Sequence, residues 1–203
     1  EIRLERENNN LTSRQNEMAR QELVRQCAFI LTQLEVENKK FLEFVKSGEA
    51  QKVVERVKTH LGEKKAGELS DAIKLQAMVA RSGAMASAVN NPKISSDDAK
   101  AIMAFSKKSM AGYKTLKEIN ESDPPEESAV NNYLSEINEG FLALLTNKEH
   151  FNGPELQAFY NSDVYEKFES EVATIAKQMG APEDINSPQF KEWVNTGNNR
   201  NLL

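Results

Sequence analysis

The feature that most constrains this chain is its periodicity: apolar residues return every three or four positions and nowhere in sustained alternation. Val24, Cys27, Leu31 and Leu34 stand at i, i+3, i+7 and i+10, which sets them along one stripe of an amphipathic helix. Glu, Gln, Arg, Leu and Ala, all good helix formers, fill the positions between. No stretch joins two-residue alternation to β-branched enrichment, so no sheet is expected. No repeat at a fixed period is present either. The expected fold is all-α, a helical bundle of six to seven helices with a long N-terminal helix and a smaller C-terminal helical subdomain.

Breaks in the pattern divide the chain. The first long helical stretch stops at Ser47-Gly48, and helix resumes through Val53, Val54 and Val57 to Leu61-Gly62. Upstream, Leu4, Leu11 and Met18 recur every seven residues, but Glu7 or Asn8, then Arg14 or Gln15, hold the other core position of that heptad. A coiled coil needs both seams apolar, so this segment reads as a solvated helical extension packing by one edge, or as a stalk. Ser70, with Asp71 behind it, reads as the N-cap of a helix ending at Asn90-Asn91-Pro92. Ser95, with Asp97 and Asp98 in the first turn, opens the next, which runs to about residue 120. Pro124-Pro125 and Glu126-Glu127 then start a helix reaching Leu145. Three shorter helices follow. They open at Gly153-Pro154, at Ser162-Asp163 (ending at Gly180-Ala181-Pro182) and at Ser187-Pro188, ahead of a polar tail.

Charge sharpens one of these breaks. The net charge is −5, which argues against bulk nucleic-acid binding. Its distribution is uneven: 21 of the 26 Lys and Arg residues lie before position 118, against 15 of the 31 Asp and Glu. The change of sign falls beside Glu121-Ser122-Asp123-Pro124-Pro125. The expected division is therefore 1–122, a basic helical bundle with a stalk-like N-terminal helix, and 123–203, an acidic helical subdomain with a polar C-terminal tail. Opposed charges of this kind suit packing of one half on the other, or association with a partner.

Catalytic and metal motifs are largely excluded. A single cysteine rules out a disulfide within the chain and a cysteine-rich metal site. The residues three before His60 and His150 are Val57 and Asn147, so the paired Glu-x-x-His of a carboxylate-bridged metal site is missing. There is no glycine-rich phosphate loop, no GxSxG elbow and no EF-hand. Cys27 lies on the apolar stripe and reads as a small buried hydrophobe; a nucleophilic role would need His60 or His150 as its base. His150 is the better candidate for pH sensitivity. Asn10-Leu11-Thr12 and Asn120-Glu121-Ser122 match the glycosylation sequon.

What is left is contact chemistry. Met78 and Met85, like Met103 and Met110, are seven apart on adjacent predicted helices. They suit core filling, or a deformable groove for a small ligand or partner helix. The aromatic cluster Phe151, Phe159, Tyr160, Tyr165, Phe168, Phe190 and Trp193 either packs the C-terminal helices onto the bundle or, if exposed, forms the partner-binding surface, since aromatic anchors dominate interface energetics. The functional expectation is a non-enzymatic protein–protein interaction or assembly module. Its partner is another protein or a second copy, with no catalytic residue, metal, cofactor or nucleic acid. The longest apolar stretches are five residues, against the ~20 needed to span a bilayer, so no segment of the given chain is expected to insert in a membrane. The alternative is a ligand-sensing extracytoplasmic helical domain of a membrane receptor. Glu1 in place of Met points to a piece of a longer or processed chain, and a periplasmic or secreted location is favoured over the cytoplasm.

Overall fold

The computed structural model describes residues 2–82, 95–146, 157 and 160–195. Among the described residues there are seven helices and no strand: α1 (Ile2–Lys46), α2 (Glu49–Leu61), α3 (Glu63–Ser82), α4 (Ser96–Glu121), α5 (Glu127–Thr146), α6 (Asp163–Gln178) and α7 (Pro188–Asn195). The protein is an all-α bundle with a long N-terminal helix, as the periodicity predicts. The expected ends at Asn90-Asn91-Pro92 and the helix from Gly153-Pro154 lie largely outside the described residues.

Local chemistry explains most of the boundaries. Gly48 sits at φ 87°, in the left-handed region where a side chain is strained, and turns the chain between α1 and α2. Ser95 caps α4, its hydroxyl accepting from the Asp98 N–H at 3.1 Å. Ser162 and Ser187 cap α6 and α7 the same way, accepting from the N–H groups of Tyr165 and Phe190. At the end of α6, Gly180 (φ 82°) lets its own N–H reach Lys177 O while Ala181 N–H reaches Ala176 O, the paired bonds of a Schellman stop. Pro124 and Pro125 stand just ahead of α5 rather than in its first turn.

One helix start differs from expectation. Ser70 lies inside α3, which begins seven residues earlier at Glu63. Ala66 and Leu69 are buried and continue the stripe of Ala72, Ile73 and Leu75 upstream, so burial of a longer apolar face prevails over a local capping signal.

The most extensive helix–helix contact is between α4 and α5, and α1 and α3 flank that pair. Glycine permits the close approach: a Cβ on Gly112 would meet Ile137 Cδ1 at 2.8 Å, and one on Gly140 would meet Lys108 Cβ at 3.2 Å. Residues on both sides of position 122 share one continuous core, including Ile102, Phe105, Leu116 and Ile119 from α4 and Tyr133, Ile137 and Phe141 from α5. Arg56 of α2 secures the intervening turn, donating to the carbonyls of Asn120 (2.9 Å) and Ser122. Lys108 and Glu139 form an ion pair between the basic and acidic halves, as does Lys191 with Asp98 at 3.3 Å.

Inside the core, one polar relay joins three helices. Tyr133 Oη donates to Gln76 Oε1 at 2.7 Å, and Gln76 Nε2 donates to the Ser109 carbonyl at 3.0 Å. Both side chains are buried. Removing one partner of such a pair leaves the other desolvated and unmatched, at about 1–3 kcal/mol. Tyr133→Phe keeps the ring and deletes only the donor, so its unfolding free energy should fall by that amount and its urea midpoint with it. An unchanged midpoint would show that the relay contributes nothing to stability.

Candidate functional site

α1 is 45 residues long, about 68 Å at the helical rise. Its first fully buried residue is Cys27, with Leu23 and Val24 packed against the core just ahead of it; from Ile2 to Ala19 every residue of the helix is exposed. Local pairs support that projection: Arg3 with Glu7 at 3.3 Å, Arg20 with Glu17 at 2.7 Å and Arg25 with Glu22 at 2.7 Å. Such pairs contribute only about 0.2–0.5 kcal/mol each. Against them stand Asn8-Asn9-Asn10 and Thr12-Ser13, weak helix formers in succession. The expectation that this segment packs by one edge is not met among the described residues, where Leu4, Leu11 and Met18 are all exposed.

The outer face of α1, along the projection and on past Cys27, carries apolar side chains that face solvent. Leu4 (64% exposed), Leu11 (55%), Met18 (68%), Phe29 (66%) and Val36 (52%) are five of the six large exposed apolar residues among the described ones. At 100° per residue they fall within about 40° of one another, on the side of α1 turned away from Cys27, Leu31 and Leu34. They form a stripe about 48 Å long, interrupted between Met18 and Phe29 by Glu22 and Arg25. Beside its C-terminal half, Gln26, Phe29 and Ile30 of α1 and Met103 and Lys107 of α4 border an open groove of about 390 Å³.

A second concavity, about 670 Å³, lies between α3, α5 and α6. Leu75, Leu134 and Phe168 contribute to its lining, and ionic groups sit at its rim. Those groups are paired: Lys65 with Asn131 (2.7 Å) and Glu68 (3.4 Å), and Lys167 with Asp71 (2.7 Å), whose hydrogen bond holds the Lys167 ammonium above its usual pKa. Glu171 is a further ionic group of the lining.

The aromatic candidates take a different place. Tyr165, Phe168 and Phe190 are buried, and Tyr160 and Trp193 are half-buried. Phe151 and Phe159 lie outside the described residues. Edge-on contacts link Tyr160 to Tyr165 (5.1 Å between centroids), Phe168 to Phe141 (6.1 Å) and Phe141 to Phe105 (5.6 Å), and Tyr165 lies 6.3 Å from Phe168. The ladder joins α6 to α5 and α5 to α4. The buried rings are spent on that packing, while Tyr160 and Trp193 keep part of their surface exposed.

Cys27 is fully buried, and burial alone pushes its thiol up to about 11, the reverse of what a nucleophile needs. Met78, Met103 and Met110 are partly buried against the core; Met85 lies outside the described residues, as does His150. Among the described residues no group of three or more His, Cys, Asp or Glu side chains could hold a metal ion, and no helix is long and apolar enough to cross a membrane.

Sequence reading singles out Leu4, Leu11 and Met18 but not Phe29 and Val36, and it does not place the five on one face. The available signal is the interval of 11 between Met18 and Phe29, which is three helical turns. Comparison with protein-family models, with curated proteins and with solved structures gives no match.

Proposed function

We propose that this chain is a non-enzymatic protein–protein interaction or assembly module whose contact element is the solvent-facing side of α1. The observation that carries this reading is the exposed stripe of Leu4, Leu11, Met18, Phe29 and Val36, on the side of α1 opposite the residues that enter the core. An exposed apolar row on a continuous helix is the recognition element of helix pairing, read as anchors one to two turns apart. Weak helix formers along the same segment give a partner a second role, since docking would hold the helix that its own propensity supports poorly.

The test is site-specific photo-crosslinking in cells from position 29, with exposed Thr59 on α2 as the comparison site. A protein adduct from position 29 and none from position 59 is expected. Because the contact is apolar, the adduct should also form when crosslinking is repeated in lysate at high ionic strength, where a purely charge-driven encounter is screened. No adduct from positions 18 or 29, to this chain or any other protein, would overturn the reading.

A further inference from the structure

Resting on that reading, we propose that the stripe is covered by a second copy of this chain, with the two α1 helices paired antiparallel about a two-fold axis near residue 20. The heptad register leads there. With Leu4, Leu11 and Met18 at d positions, Phe29 and Val36 fall on a positions of the same uninterrupted heptad. Asn8, Gln15 and Glu22 hold the earlier a positions, and Arg25 and Thr32 the later d positions. One seam is thus apolar in its N-terminal half and the other in its C-terminal half.

Antiparallel pairing joins an a residue of one helix to a d residue of the other. In this register Leu4 meets Val36 of the second copy and Leu11 meets Phe29. Polar positions then meet polar ones, Asn8 with Thr32 and Gln15 with Arg25, and only Met18 with Glu22 is mixed. A parallel pair would instead stack Glu22 on Glu22 and Arg25 on Arg25, placing like charges in the seam. The groove beside Phe29, bordered by Gln26, Ile30 and Met103, lies where Leu11 of the second copy arrives.

Geometry and area also fit. The stripe faces away from the α1 residues that enter the core, so the two bundles sit on the outer sides of the pair. A strip about 48 Å by about 10 Å on each helix covers about 1,000 Å² over both, the lower limit for a specific interface. The pairing is self-complementary, as a two-fold contact requires. Its size and the polar layers between the apolar ones make it a reversible dimer with Kd in about the micromolar range.

Sedimentation equilibrium of the full chain should show monomer and dimer exchanging with concentration. Leu11→Asp should weaken the dimer at least about tenfold while leaving the thermal melt unchanged, because Leu11 touches no core residue. Orientation is read by disulfide trapping: the Gln15→Cys/Arg25→Cys double variant should give a covalent dimer on mild oxidation, and neither single variant should. Buried Cys27 does not compete. A chain that stays monomeric to about 100 μM and does not trap overturns the self-pairing; if position 29 still crosslinks to a different protein, the interaction reading stands and only the choice of partner fails. Single variants that each trap with themselves, or a dimer indifferent to Leu11→Asp, would overturn the antiparallel register or the stripe itself.

Discussion

Phe141→Ala is expected to destabilise the fold by about 3–5 kcal/mol, the usual cost of emptying a buried phenylalanine site, while the same substitution at Phe29 should change stability by less than about 0.5 kcal/mol. Phe141 is almost fully buried and stands at the centre of the aromatic ladder, edge-on to Phe105 of α4 on one side and Phe168 of α6 on the other. Its loss removes both ring contacts and leaves a cavity where three helices meet. For a chain of this length the melting temperature should fall by about 10–15 °C, followed by circular dichroism at 222 nm. Phe29 is 66% exposed and carries no comparable packing. Its substitution should act on self-association, leaving the melt where it was. Equal shifts in the two variants would contradict the assignment of one ring to the core and the other to a contact surface.

Those two phenylalanines also show how much of the molecule was legible in its residues. Periodicity is local, so the all-α class, the capping serines 95, 162 and 187 and the glycine stops at 48, 62 and 180 could be read along the chain. The side of a helix that meets its neighbour is a tertiary fact. An apolar run such as Cys27–Leu31 contains both Cys27, which enters the core, and Phe29, which does not; only the placement of α4 against α1 separates them. Aromatic density in the C-terminal third was visible, but density does not distinguish a ladder between helices from a patch on the surface. Ser70 shows the opposite difficulty: a sound capping pair sits inside α3 because Ala66 and Leu69 have apolar surface to bury. The break at Asp123-Pro124-Pro125 is real as a turn, and the core nevertheless runs across it.

Stability should decline in alkali, starting near pH 9. Burial pushes the Cys27 thiol from about 9 to about 11, and it raises the Tyr133, Tyr160 and Tyr165 phenols above their ordinary value, with Glu136 adding to the effect at Tyr133 and Glu169 at Tyr165. Each is an acid held neutral by the fold. In the unfolded chain a thiol releases its proton near pH 8.5–9 and a phenol near about 10. Above those values the unfolded state binds fewer protons than the folded one, so stability falls as pH rises. The Cys27 contribution is whole below about pH 9 and gone above about 11. Two pKa units correspond to about 2–3 kcal/mol. The tyrosines extend the decline to higher pH. Urea midpoints measured between pH 7 and 11 should therefore descend, and Cys27→Ala should flatten the first part of the descent. Thiol labelling reads the same event independently. At pH 8 only about one Cys27 in a thousand is thiolate in the folded chain, so labelling should be slow until urea opens the core. A midpoint that stays level from pH 8 to 11, or fast labelling of the native chain, would place Cys27 in contact with water and remove the first buried residue of α1 from the core.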